Sequence, residues 1–311
     1  MVLSFIMLII GLVLVIKGAD YFVDAAVEVA RRTGMSEVLI GATLVSLATT
    51  LPELAVSSYS SYLNNADLAV GNAVGSVIFN TAVILGLSLI IKPLKIKDKK
   101  FSSKALFMLA SGILLSLFAL DGQVKPKEGI FLIGLLIIYV FYVFKTSPNE
   151  DQKVETDDSP VWLLTIKFIG GAMAVVFGSR LMVNAAVSIA EALGVSPMVI
   201  GLTIVAVGTS LPELVTSLTA IKKGYQNVSV GNIIGANFLN MTAVLGVSSL
   251  INPLPIGRES LRVDLPVMLL LMALIWLFGR KGKMERWKGL VFLGIYIIYI
   301  TNVVVKAVAT V

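Results

Sequence analysis

Ten stretches of this chain are apolar for long enough to cross a lipid bilayer. They cover residues 2–30, 37–61, 68–91, 103–120, 127–145, 161–190, 197–220, 228–251, 263–279 and 287–309. A helix needs about 20 such residues to span the hydrocarbon. The runs are continuously apolar rather than alternating, which argues for helices and against a β-barrel. The expected fold is an all-α integral membrane protein with ten transmembrane helices. Of its 311 residues, 57% are hydrophobic and 14% charged, more apolar surface than a soluble chain of this length can bury. The N-terminal MVLSFIMLIIGLVLVIKG has no basic residue ahead of its apolar run, so it reads as a first membrane helix rather than a cleaved signal.

What is missing narrows the chemistry. There is no Cys and no His, which excludes disulfides, thiolate chemistry, histidine metal ligands and histidine proton relays. No nucleophile–base pair suggests an enzyme, and no resident cofactor or protein partner is implied. The net charge of +6 is better explained by topology than by nucleic acid. If the spans alternate, seventeen Lys and Arg fall on the side of loops 1–2, 3–4, 5–6, 7–8 and 9–10, and five on the side of the termini. Basic residues favour the cytoplasm. The expectation is a multi-pass protein of the cell membrane with both termini outside.

Shifted by 160 positions, the chain overlays itself without a gap from Gly18 to Asn240. GADYFVDAAVEVA (18–30) meets GSRLMVNAAVSIA (178–190), IGATLVSLATTLPEL (40–54) meets IGLTIVAVGTSLPEL (200–214), and VGNAVGSVIFN (70–80) meets VGNIIGANFLN (230–240). Three matches in one register mean an internal duplication. Each half holds five spans, so the second enters the membrane from the opposite side. Residues 1–145 and 161–311 are the two inverted five-helix repeats, and 146–160, TSPNEDQKVETDDSP, is a polar cytoplasmic linker. Inverted repeats are typical of secondary transporters with a site near the midplane.

The duplicated TTLPEL (49–54) and TSLPEL (209–214) put a proline and a carboxylate inside apolar runs. Proline removes a helical N–H and crowds the carbonyl four residues back, here Ala48 and Gly208, so both helices are expected to break at the central site. Freed carbonyls at membrane depth need protein, water or an ion. Carbonyl, hydroxyl and carboxylate oxygens are the ligands of a hard cation. An intramembrane ionisable residue is functional by default. Neither possible counter-charge, Lys17 or Arg180, recurs in the other repeat, whereas Glu53 and Glu213 do. Two carboxylates neutralise one divalent cation, most simply Ca²⁺, since Mg²⁺ dehydrates reluctantly. Asn80 and Asn240, each ending a run without other polar side chains, are further candidate ligands. Asn72 and Asn232 are open between helix–helix hydrogen bonding and coordination, and Gly71, Gly75, Gly231 and Gly235 suggest close helix packing. Asp20, Asp24 and Glu28 either line an ion path or mark a wet helix end. An ion channel could use the same oxygens, but channels more often build rings around an oligomer axis.

The paired ATTLPEL and GTSLPEL motifs, each followed by a GN…G…N helix, resemble the repeats of the calcium/cation antiporter superfamily, nearest its prokaryotic sodium/calcium exchangers. The resemblance covers the whole chain. It implies exchange of Ca²⁺ for Na⁺ by alternating access, with the first and sixth spans sliding over the other eight. Carried over by position, Glu53 and Glu213 would hold Ca²⁺ with the carbonyls of Thr49 and Thr209. Ser46, Thr50 and Ser76, and in the other half Ala206 and Ser210, would help to hold Na⁺. Asn80 and Asn240 would complete the centre. The chain departs from the sodium/calcium pattern where both central amide positions are Asn rather than one being Asp, and where Ala236 stands opposite Ser76. The double Asn is similar to the proton/calcium branch, so H⁺ is the alternative counter-ion.

Overall fold

The computed structural model describes residues 2–96, 100–146, 160–193 and 206–309. Among the described residues, nine helices are long and apolar enough to cross a membrane. In chain order the helices are α1 (Val2–Thr33), α2 (Glu37–Tyr62), α3 (Ala66–Ile91), α4 (Phe101–Asp121), α5 (Pro126–Thr146), α6 (Val161–Ala192), α7 (Leu211–Lys222), α8 (Gln226–Ile251), α9 (Ser260–Gly279) and α10 (Arg286–Ala309). The short α7, with a turn of helix at Ala206–Gly208 before it, is the described part of the expected span 197–220. The rest of that span, and residues 147–159 of the expected linker, lie outside the described residues.

Helices α3 and α8 are the most buried and form the centre, while α1, α5, α6 and α10 turn most of their surface outward. This follows from their sequences. GNAVGSVIFN and GNIIGANFLN carry small residues that admit neighbours on all sides, whereas the outer helices carry Leu, Ile and Phe all round. Lipid offers no hydrophobic drive for helix association, so close approach falls to small residues. A Cβ at Gly231 would lie 2.3 Å from the Val38 carbonyl oxygen, and one at Gly235 2.6 Å from that of Ala42. The expectation for the other repeat differs: no described residue lies within 4 Å of a Cβ at Gly71 or Gly75. The segment that the duplication would put against them, around 198–202, is not among the described residues.

Glycines also join α1 to α6. A Cβ at Gly18 would come within 2.9 Å of the Gly171 carbonyl oxygen, and one at Gly11 within 2.8 Å of that of Gly178. As the number rises on one helix it falls on the other, so the two run antiparallel. The seven-residue spacing, two helical turns, keeps both glycines of each helix on one face. Other contacts likewise come in pairs 160 residues apart. Gly86 meets Gly289 and Gly129 meets Gly246. The short strands β1 (Leu94–Lys95), β2 (Gln123–Val124), β3 (Leu254–Pro255) and β4 (Lys283–Met284) pair antiparallel as Leu94 with Met284 and Val124 with Leu254. Asn72 Nδ2 donates to Ser57 Oγ at 2.9 Å, and Asn232 Nδ2 to Ser217 Oγ at 3.2 Å.

The expected breaks at the two prolines take different forms. In α2 the helix runs on through Pro52, from Ser46 to Tyr62. Just upstream it widens into a π-helical segment, Gly41–Val45, where the Ser46 N–H reaches back to the Gly41 carbonyl. Such widened turns accommodate irregularities in a hydrogen-bond ladder. In the second half the chain does break, at Thr209–Ser210, and α7 begins with Pro212 in its first turn, where a proline forfeits no intrahelical bond.

Two stability tests follow. A Cβ at Gly171 would meet the Phe22 nitrogen at 2.7 Å, while one at the adjacent Gly170 meets nothing within 4 Å. Gly171→Ala should lose about 1–3 kcal/mol through overpacking. Gly170→Ala should be neutral or gain up to about 1 kcal/mol of helix propensity. Thermal unfolding in detergent distinguishes them, and equal melting temperatures would refute the packing. Ser217→Ala strands the buried Asn232 amide and should cost about 1–3 kcal/mol. Ser57→Ala should cost less, because Asn72 is half-buried and keeps the Glu53 carbonyl at 3.4 Å.

Candidate functional site

The two proline–glutamate motifs meet at the centre of the molecule. Glu53 and Glu213 are each 0% exposed. Glu53 is carried on α2 one residue after Pro52, and Glu213 lies in the first turn of α7, where the free N–H groups of a helix start favour a negative charge. Thr50 Oγ1 donates to Glu213 Oε1 at 3.2 Å, and the two carboxylates are close enough for their charges to repel. Ser76, on α3, stands beside Glu53, and Ser210 Oγ donates to Ser76 Oγ at 3.1 Å. Thr49 Oγ1 is 3.3 Å from both the Ser46 carbonyl and Asn232 Oδ1. Hydrogen bonds and charge thus bring Thr49, Thr50, Glu53, Ser76, Ser210 and Glu213 together, with Ser46 joined through Thr49.

Asn80 and Asn240 are buried at the first positions of two π-helical turns, Asn80–Leu85 in α3 and Asn240–Val244 in α8. No hydrogen bond ties either to the carboxylates. Asn240 Nδ2 donates to the Ala236 carbonyl at 3.0 Å. Thr209 is half-buried in the turn before α7. Ala206 opens the short helix Ala206–Gly208, and its side-chain surroundings are outside the described residues.

The buried groups left without a hydrogen-bond partner are informative. They include both carboxylate oxygens of Glu53, Oε2 of Glu213, both polar atoms of Asn80, and Oδ1 of Asn240. Buried polar groups are nearly always paired, and an unpaired buried charge is far more costly than an unpaired amide. Among the described residues no Lys or Arg pairs with either glutamate. Nor does any group of three or more His, Cys, Asp or Glu come together. The donor set is two carboxylates among neutral hydroxyls and amides. Hard cations or protons match it, and soft metals do not.

Some site features were not anticipated. Thr216 lies one turn beyond Glu213 and its buried Oγ1 is also unpartnered. Ser57 and Ser217 accept hydrogen bonds from Asn72 and Asn232 across neighbouring helices. Both serines recur at the 160-residue offset, and that recurrence was the available signal. Asp20 and Asp24 are engaged by Lys223 from the end of α7: Nζ is 2.7 Å from Asp24 Oδ2 and 3.5 Å from Asp20 Oδ1. Burial alone would lower the Lys223 pKa, but Asp24 and Asp20 together raise it above its ordinary value. Glu28 pairs with Arg32 at 2.8 Å. These acids are ion-paired toward the helix end, and Asp24 and Glu28 also line a cavity of about 250 Å³ there with Arg31 and Lys167.

The sodium/calcium exchanger protein family model matches residues 3–145 and again 163–305. An uncharacterised membrane protein of Methanocaldococcus jannaschii is 37% identical over 294 residues, covering 94% of this chain and 95% of its own. The sodium/calcium exchanger MaX1 of Methanosarcina acetivorans is 31% identical, over 96% and 97% of the two chains. Among solved structures, the sodium-calcium exchanger NCX_Mj soaked with zero Na⁺ and Ca²⁺ superposes with a TM-score of 0.87 at 35% identity, over 97% of this chain and 99% of that one. The same protein soaked with 2.5 mM Na⁺ and 10 mM Sr²⁺ also gives 0.87. With both halves matched and relatives aligned end to end, this multi-pass membrane chain belongs to the sodium/calcium exchanger protein family.

Proposed function

We propose that the chain is a secondary antiporter that exchanges Ca²⁺ for Na⁺ across the cell membrane by alternating access. The observation that carries this is the pair Glu53 and Glu213. They are fully buried, mutually repelling, without a basic partner, and hold three unpartnered oxygens between them. One Ca²⁺, or Na⁺ ions in its place, restores neutrality. Thr49, Thr50, Ser46, Ser76, Asn80 and Asn240, with Thr209, Ala206 and Ser210 from the second half, complete the ligand set through carbonyl, hydroxyl and amide oxygens. The names of the relatives point to the same pair of ions.

The architecture we propose is ten spans in two inverted repeats, 1–145 and 161–311, joined by a cytoplasmic linker with both termini outside. The paired contacts 160 residues apart and the antiparallel α1–α6 pair support it. That pair is the natural mobile unit, since its glycine seam joins the two helices to each other more closely than to the rest. An empty site carries two buried charges, which opposes movement through the membrane. A site filled by Ca²⁺ or Na⁺ removes that penalty. Competition for one site, with movement only when it is filled, gives exchange rather than leak.

A second reading has H⁺ in place of Na⁺, with the two glutamates as proton carriers. The observation in its favour is that Asn occupies both central amide positions, leaving two carboxylates as the whole charge of the site.

Reconstituted in liposomes, the purified chain should take up ⁴⁵Ca²⁺ against an outward Na⁺ gradient at equal pH. It should not do so against an outward H⁺ gradient in Na⁺-free medium. Uptake driven only by protons would replace the first reading with the second. Glu53→Gln and Glu213→Gln should each reduce Ca²⁺ flux to background. Wild-type flux in either would refute the shared site.

A further inference from the structure

The two faces of the molecule differ where the duplication would make them alike. Near one face Lys223 of α7 pairs with Asp20 and Asp24 of α1. Offset by 160, Asp20 corresponds to Arg180 and Asp24 to Asn184. There the structure has a cavity of about 120 Å³, lined among others by Arg180, Asn184, Thr209, Pro52 and Pro212. Thr209 is a candidate ligand and the two prolines are the chain neighbours of Glu53 and Glu213, so the cavity adjoins the central site, although neither carboxylate lines it. Arg180 is exposed, and among the described residues it makes no hydrogen bond or ion pair. Its guanidinium is always charged. The contacts of Gly11 with Gly178 and of Gly18 with Gly171 centre the α1–α6 pair near Ala174. Helix α6 begins at Val161, directly after the linker. Arg180 therefore lies about 9 Å beyond the centre at 1.5 Å per residue, toward the face opposite the linker.

We propose that Arg180 is a charge filter on the ion path at the face opposite the linker, where it disfavours divalent over monovalent cations. The inference rests on the exchange reading above and names the residue that tunes competition at the same site. A charge in a narrow cleft with low-dielectric walls changes local ion concentrations strongly. The penalty scales with the ion's charge. A potential of about one thermal unit depletes Na⁺ about threefold and Ca²⁺ about sevenfold. Competition for Glu53 and Glu213 is thereby tilted toward Na⁺ at that face, which favours Ca²⁺ leaving and Na⁺ entering there. At the linker face the equivalent positions are two acids that share one lysine, Lys223, a net negative charge that does not repel a divalent ion.

The test uses right-side-out and everted membrane vesicles, with a protease-sensitive tag in the linker to report which face meets the bath. ⁴⁵Ca²⁺ flux is titrated with Ca²⁺ and with competing Na⁺. From the face opposite the linker, R180Q should lower the half-saturating Ca²⁺ about sevenfold and the Na⁺ inhibition constant about threefold. R180K, which keeps the charge, should shift both far less. From the linker face R180Q should match wild type. Equal shifts for Ca²⁺ and Na⁺, shifts alike from both faces, or no shift overturn the filter. Wild-type flux driven by protons alone overturns the Na⁺ reading instead, and the Ca²⁺ constant of R180Q still judges the filter. If no gradient drives Ca²⁺ flux, the rate at which Ca²⁺ associates with purified wild type and R180Q decides it, with equal association rates counting against the filter.

Discussion

Two carboxylates, fully buried and with no Lys or Arg paired to either among the described residues, are the constraint on which the rest of this structure turns. An uncompensated charge in a low-dielectric interior costs several kcal/mol after relaxation, a large part of the stability of a folded domain. A chain that merely needed to fold could have placed an arginine opposite Glu53 and made a permanent ion pair. It has instead set the Thr50 hydroxyl on Glu213 and Ser76, which accepts from Ser210, beside Glu53. On the exchange reading proposed above, a transported cation would supply the missing charge.

That arrangement asks for a rigid frame, and in lipid the frame cannot come from hydrophobic collapse. The close contacts are made by glycines: Gly231 and Gly235 against α2, Gly18 against Gly171, Gly86 against Gly289, Gly129 against Gly246. Backbones that approach this closely gain dispersion contacts along their whole length, which is the main attraction available between helices in a bilayer. Gly11–Gly178 and Gly18–Gly171 sit at equal and opposite distances from the centre of the α1–α6 pair. The same contact thus recurs under exchange of the two halves. Packing contacts that come in such pairs frame the candidate site, to which both halves contribute side chains.

Much of this was legible in the sequence because the chain is written twice. The duplication set Glu53 and Glu213 apart from Lys17 and Arg180, which do not recur, and the apolar runs located nine of the ten expected spans to within a few residues, the start of the seventh lying outside the described residues. What escaped was local backbone geometry. Pro52 and Pro212 occupy equivalent positions, yet one lies inside a continuous helix and the other starts a new one. A proline fixes which hydrogen bond is lost, not how the neighbouring turn absorbs the loss. In α2 a π-helical segment lies upstream at Gly41–Val45, where a Cβ at Gly41 would meet the Val228 carbonyl oxygen of α8 at 2.4 Å. The π turns at Asn80 and Asn240 are equally silent in the sequence, because a widened turn is selected by tertiary packing rather than by residue preference. Thr216 was missed for the opposite reason: its counterpart is Val56, so the comparison of repeats that exposed the glutamates passed over it.

The places where the repeats have diverged carry as much information as those where they agree. Around the carboxylates the changes are slight, Ser76 against Ala236 and Thr50 against Ser210. Further along the cavity and the helix ends they alter charge: Asp20 against Arg180 reverses it, while Asp24 against Asn184 and Lys223 against Leu63 remove it. In the exchange reading proposed above, the gradients alone would set the net direction, and the mouths would set how readily each ion enters from each side. Charge placed at a mouth would act before an ion reached the candidate ligands, without altering those ligands. The symmetric centre and the asymmetric approaches are then separate solutions to separate problems. The first makes one site that both halves can close around, and the second makes the two sides of the membrane different.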